Sequence, residues 1–141
     1  MKAFLDTSVL VPVFYGDHVH HAASLALFTS FGKKAAGCGA HSLVEVYSVM
    51  TRMPGKHRIS GEQGMLFIND IRERLTIVGL TPDEHLAMLQ TNASLGIVGG
   101  AIYDALLAAC ALKSGAEKLF TWNLRHYGLF GPTVTALLQT P

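Results

Sequence analysis

Cysteine is nearly absent: Cys38 and Cys110 are the only two in 141 residues, and no Cys-x-x-Cys or Cys/His pair at metal spacing accompanies them. That excludes a disulfide scaffold and a zinc clip, and the two thiols, set among small and apolar neighbours, read as buried and reduced. Charge is scarce as well. Asp, Glu, Lys and Arg make up 15% of the chain, against about 25% in average soluble proteins. Apolar residues make up 50%, which excludes disorder and a coiled coil. Nor is there a bulk excess of cations. Eleven Lys and Arg against ten Asp and Glu leave a net charge of +1, with a pI near 7.9, below the pI above ~9 of a domain that grips nucleic acid by overall charge. Contact with a polyanion must therefore be local. Long apolar runs are lacking too: the longest, Val98 to Leu112, carries Asp104 in its middle and falls short of the ~18 to 20 uncharged residues of a membrane span. Met1 to Leu5 meets Asp6 before an apolar region of signal-peptide length can form, so a cytoplasmic chain without membrane contact is expected. The length suits a single domain, 1–141, able to bury a core of its own.

What is present is an alternation of short apolar runs and helical periodicities. Ala3-Phe4-Leu5 reads as a strand, Val9 to Tyr15 as a helix interrupted by Pro12, and His21 to Phe31 as a second helix. Small residues from Ala35 to Ala40 suit a buried strand, after which Ser42-x-x-Glu45 has the form of a capping box opening a third helix. Ser60-x-x-Gln63 and Thr81-Pro82-Asp83-Glu84 mark two further helix starts, with the β-branched Thr76-Ile77-Val78 between those helices. Ala101 to Leu112 is helical in period and Lys118 to Thr121 strand-like. Strands separated by helical segments, with no hairpin spacing, predict an α/β fold: a parallel sheet with helices on its faces.

In such a sheet, ligands bind beyond the carboxyl ends of the strands. Asp6 directly follows the first strand, Glu45 lies at the start of the helix after the second, and Asp104 lies in the first turn of the helix before the last. Each has a plainer reading, as a helix cap or a helix-dipole partner. Their predicted convergence on one edge changes the balance. Asp104 has only Gly100, Ala101, Leu107 and Ala108 at helical spacing, so no local cation neutralises it. Clustered carboxylates repel unless cations sit between them, and Mg²⁺ or Mn²⁺ is the hard cation suited to such oxygens. His18-Val19-His20-His21 lacks further ligands at standard spacing and reads as a solvated turn. Arg52, Lys56 and Arg58 lie on a Pro-Gly loop whose default reading is a solvated one, and they form the best local basic patch for contacting phosphates. Trp122 suits either base stacking or the core, and Arg125 beside it suits a phosphate.

Four segments, Phe4-Leu5-Asp6-Thr7-Ser8, Ser42-Leu43-Val44-Glu45, Gly99 to Ala109 around Asp104, and Leu119 to Tyr127, resemble the ordered motifs of PIN-domain ribonucleases, most closely the VapC toxins of VapBC modules. The spacings are 45 − 6 = 39 and 104 − 45 = 59. The resemblance implies a three-layer sandwich around a central parallel sheet of four or five strands. It also implies Mg²⁺- or Mn²⁺-dependent endonucleolytic cleavage of RNA, tRNA included as a candidate, and homodimerisation. Inhibition by a cognate VapB-type antitoxin is implied as well. The family's metal-binding acids fall on Asp6, Glu45 and Asp104, and its supporting hydroxyl on Thr7 or Ser8. Where the family often has a fourth acid, this chain has Asn123, with His126 three residues on. Asn can orient water by hydrogen bonding but brings no charge. The rival expectations are a phosphatase with Asp6 as nucleophile, which Ser8 disfavours because that chemistry wants an acid there, and a catalytically inactive binding module.

Overall fold

A computed structural model describes every residue from Met1 to Pro141. Five strands, β1 (Ala3–Leu5), β2 (Ala36–Gly39), β3 (Thr76–Val78), β4 (Lys118–Phe120) and β5 (Leu138–Gln139), form one sheet in the order β3-β2-β1-β4-β5. Every neighbouring pair is parallel. Helices α1 (Thr7–Val13), α2 (His21–Ser30), α3 (Ala40–Thr51), α4 (Gly61–Arg74), α5 (Pro82–Ser94), α6 (Ala101–Ser114), α7 (Leu124–Tyr127) and α8 (Pro132–Thr135) connect and cover it. The PIN-like α/β sandwich expected from the sequence is therefore present, with five strands. No helix is long and apolar enough to cross a membrane.

Alternation along β1 sends Ala3 and Leu5 to one face and Phe4 to the other. The first face packs Val9 and Leu10 of α1, Phe28 of α2, Val46 and Met50 of α3 and Ile71 of α4. The second packs Ala105, Ala108 and Ala111 of α6 with Tyr127, Phe130 and Val134. Strand β2 buries Ala36 and Cys38 on the first face, and its glycines make room on the second. A Cβ on Gly39 would lie 2.7 Å from Leu107 Cδ2, so glycine lets α6 settle directly on the strand. Leu107 follows Asp104 by three residues, and this close approach sets Asp104 over the carboxyl edge. Both cysteines are free and buried, and burial pushes Cys38 up to about 12 and Cys110 up to about 11. They are the buried, unpaired thiols that their surroundings implied.

Two of the three capping boxes form as read, Ser60 with Gln63 and Thr81 with Glu84, each hydroxyl and N3 side chain bonding reciprocally. The third does not. Strand β2 runs straight into α3, with Gly39 extended at the N-cap and Ala40 already helical, so Ser42 falls inside the first turn. Ser42 is fully buried, and its hydroxyl oxygen lies 3.0 Å from Thr7 Oγ1. Glu45 sits in the second turn and caps nothing. The expected solvated turn at His18–His21 is also corrected. His21 Nδ1 lies 2.7 Å from the Pro12 carbonyl, His18 Nδ1 accepts from the His20 amide at 3.0 Å, and His20 stacks on Trp122.

Candidate active site

Strands β1 and β4 are adjacent with Leu5 opposite Phe120, so the residues that follow, Asp6 and Thr121, leave the sheet side by side. Strand order reverses between them: β2 and β3 lie on one side, β5 on the other. The carboxyl edge at such a switch point is where open parallel sheets bind ligands. Asp6 caps α1 there and is 2% exposed. Its Oδ1 accepts from the Ser8 amide at 2.7 Å and from Ser8 Oγ at 2.6 Å. Its Oδ2 accepts from Thr121 Oγ1 at 2.7 Å and from the Tyr127 phenol at 2.9 Å. Burial, then the charges of Asp6 and Asp104, push Tyr127 far above the ordinary phenol range, so it stays protonated and donates. Engaging a cation requires one hydroxyl to turn away from Asp6. Ser8 Oγ and Thr121 Oγ1 lie 3.3 Å apart, so either has a second partner.

Glu45 Oε1 accepts from Thr7 Oγ1 at 2.9 Å and lies 3.7 Å from His41 Nε2. The His41 ring stacks on Tyr103, centroids 5.1 Å apart and planes 6° off parallel, which ties the first turn of α3 to that of α6. Next to Tyr103, Asp104 points Oδ2 at His126 Nδ1, 3.4 Å away on α7. Burial raises the Asp104 carboxyl above its usual range; Asp6 and Glu45 raise it further and His126 offsets part. Asp6 and Glu45 thus both act on Asp104 across the edge. No Lys or Arg pairs with any of them, and only the imidazoles of His41 and His126 stand close. No three His, Cys, Asp or Glu side chains converge closely enough to close a metal site by themselves. The donors nonetheless fit a hard dication: carboxylate and hydroxyl oxygens, no thiol, and like charges whose repulsion burial magnifies.

The sequence profile of the PIN domain matches residues 3–127. The chain belongs to the PIN-domain family. Within it, the chain is a VapC-type ribonuclease by relationship: it is 35% identical over 113 residues to Ribonuclease VapC27 of Mycobacterium tuberculosis, covering 80% of this chain and 79% of that one. To Ribonuclease VapC40 of the same species it is 35% identical over 120 residues, 85% of each chain. Among solved structures, Mycobacterium tuberculosis VapC20, a Sarcin-Ricin loop cleaving toxin, is similar with a TM-score of 0.66 at 18% identity, covering 84% of this chain and 87% of that chain. VapBC2 from Rickettsia felis, bound to a DNA fragment from its promoter, gives a TM-score of 0.68 at 18% identity, covering 100% and 99%. At that identity the two structures speak for the fold.

Within this PIN fold the expected site residues separate. Asp6, Glu45 and Asp104 face one edge, with Ser8 on Asp6, Thr7 on Glu45 and His126 beside Asp104. Asn123 is exposed and engaged through its backbone alone, its amide donating to Thr121 Oγ1 at 2.9 Å and its carbonyl accepting from the His126 amide at 3.0 Å. Arg125 is exposed on α7 without an acidic partner. Arg52, Lys56 and Arg58 surround the 3-10 turn Gly55–His57, exposed and free of carboxylates, with Arg58 Nε donating to the Met53 carbonyl at 3.0 Å. Trp122 is anchored: its amide donates to Ser8 Oγ and its indole to Ser24 Oγ, both at 2.9 Å. Thr121, Tyr127, His41 and Tyr103 were not among the expected site residues, and Ser42 was read only as a helix cap. The parallel neighbours β1 and β4 held a signal for Thr121, since a residue following each strand by one must sit beside the other.

Proposed function

We propose that this VapC-type ribonuclease, with the whole chain 1–141 as one PIN domain, hydrolyses RNA phosphodiester bonds with Mg²⁺ or Mn²⁺ held by Asp6, Glu45 and Asp104. The observation that supports the reading is that Asp6, Glu45 and Asp104 stand along the carboxyl edge at the switch point with no Lys or Arg paired to any of them. A divalent ion there would polarise the scissile phosphate and activate water for in-line attack. The chain's own groups supply orientation. Tyr127, Thr121 and Ser8 hold Asp6 rigidly, Thr7 aims Glu45, and His126 Nδ1 faces Asp104 Oδ2, where it can hold a proton during departure of the leaving oxygen. Arg125, with Arg52, Lys56 and Arg58, would steer phosphates, so binding should be salt-sensitive and modest for a net charge of +1.

The chain is proposed to act in the cytoplasm as a homodimer, neutralised by a VapB-type antitoxin, with tRNA among its candidate substrates. Incubation of purified protein with total RNA or tRNA in Mg²⁺, Mn²⁺ or chelator, followed by mapping of the new ends, tests the reading. Cleavage in either metal that stops in chelator and leaves 5′-phosphate and 3′-hydroxyl ends supports it. Metal-independent cleavage, or cyclic phosphate ends from attack by the ribose 2′-hydroxyl, overturns it.

A further inference from the structure

From the acidic edge a continuous run of half-buried rings leads outward, with Trp122 and Tyr15 packed in part against the core. Trp122, the only tryptophan, stacks face to face with His20, centroids 3.7 Å apart and planes 7° off parallel. His20 lies 5.5 Å from His18, His18 meets Tyr15 edge-on at 5.9 Å, and Tyr15 meets His57 edge-on at 4.9 Å. His57 belongs to the 3-10 turn between Arg52 and Arg58, so the rings join the acidic edge to the basic loop. At the edge end lies a cavity of about 310 Å³ lined by Ser8, Pro12, His18, His20, Trp122 and Asn123. Ser8 is shared: it lines the cavity and its hydroxyl donates to Asp6 at 2.6 Å. The only carboxylate seen against the run is Asp17, 3.8 Å from His57.

This layout is that of a single-strand binder, in which ring faces take bases of any identity and flanking cations take the backbone. Burial, with His20 and His21 alongside, lowers the His18 imidazole, which favours a neutral, stacking ring at neutral pH. We propose that the run from Trp122 to His57 is the path of a single RNA strand beyond the scissile bond. One splayed base enters the cavity beside His20, and Arg52, Lys56 and Arg58 meet phosphates at the far end. The proposal rests on the ribonuclease reading and adds to it the residues that seat the strand. His18 and His20 are thereby positioning residues that choose where a strand is cut, outside the acidic centre.

A single-stranded RNA oligomer carrying 5-iodouracil, photocrosslinked to the wild-type protein in chelator and mapped by peptide mass spectrometry, locates the strand without any cleavage. Adducts on Tyr15, His18, His20 or Trp122 are expected; adducts confined to other surfaces overturn the proposal. Independently, the double variant His18→Ala, His20→Ala should raise KM for a single-stranded substrate about tenfold and shift the preferred cut positions, with kcat nearly unchanged. Val19→Ser, on an exposed side chain of the same segment, should do neither. An unchanged KM and cut pattern, or a loss confined to antitoxin binding, refutes the strand path while leaving the nuclease reading intact. If wild-type protein cleaves nothing in Mg²⁺ or Mn²⁺ yet crosslinks along the run, the nuclease reading fails and the strand path stands.

Discussion

Asp6 and Asp104 face the same edge of the sheet in opposite conditions. Asp6 is 2% exposed and takes four hydrogen bonds from neutral donors. Asp104 has a side chain 29% exposed and only His126 at 3.4 Å, and burial with its acidic neighbours raises its carboxyl. Glu84 shows what a first-turn acid looks like when it is merely structural: a hydrogen bond from Lys113 at 2.6 Å, aided by the Thr81 cap, holds it down to about 2. Asp104 lies in the first turn of α6, one position further along than Glu84 in α5, with no such cation. Asp6 is therefore the fixed end of the site, built into the fold, and Asp104 the strained end, left short of positive charge.

That asymmetry separates stability from activity. The largest effect is expected for Asp104→Asn, which should cut RNA cleavage by more than ~100-fold, beyond the 10- to 100-fold that follows loss of a group which only orients a metal ligand; timed cleavage assays in Mn²⁺ measure it. Asp6→Ala should be as inactive but also less stable by about 3 kcal/mol in urea unfolding, because Ser8, Thr121 and Tyr127 are left as buried donors without an acceptor. A variant as stable as wild type would contradict the anchored role. Tyr127→Phe removes one donor and should cost about 2 kcal/mol with a fall in kcat of about tenfold. The smallest effect runs the other way. An acid whose folded pKa is raised weakens the fold as pH climbs from its ordinary value of ~3.9 through the raised one. Asp104→Asn lacks that loss, so in chelator at pH 7 it should melt about 2 °C above wild type, and the gain should vanish below pH ~4.

The parts that local chemistry governs were legible in the sequence. The boxes at Ser60/Gln63 and Thr81/Glu84 formed because both halves lie within one turn. Ser42/Glu45 has the same spelling but failed, since the extension of β2 into α3 and the Thr7 hydroxyl from 35 residues away claimed Ser42. Strand β5 spans two residues, too few for any period. Tyr127 lies 121 residues from the carboxylate it serves, and only the fold of α7 under the β1–β4 edge brings it there. The histidine turn was misread for a related reason: its partners, Trp122, Tyr15 and Pro12, come from other elements. The edge on which the three acids stand was legible because strand ends and helix starts set it, whereas the donors around them depend on strand neighbours that a linear reading does not supply.

Thermal unfolding of metal-free wild type and Asp104→Asn over a Mn²⁺ titration bears most directly on the claim that a divalent ion relieves Asp104. Wild type should gain stability with concentration by mass action, about 2.7 kcal/mol at one hundred times Kd, while the variant stays flat. Equal gains in both proteins, or a wild type that Mn²⁺ leaves unmoved, would contradict it.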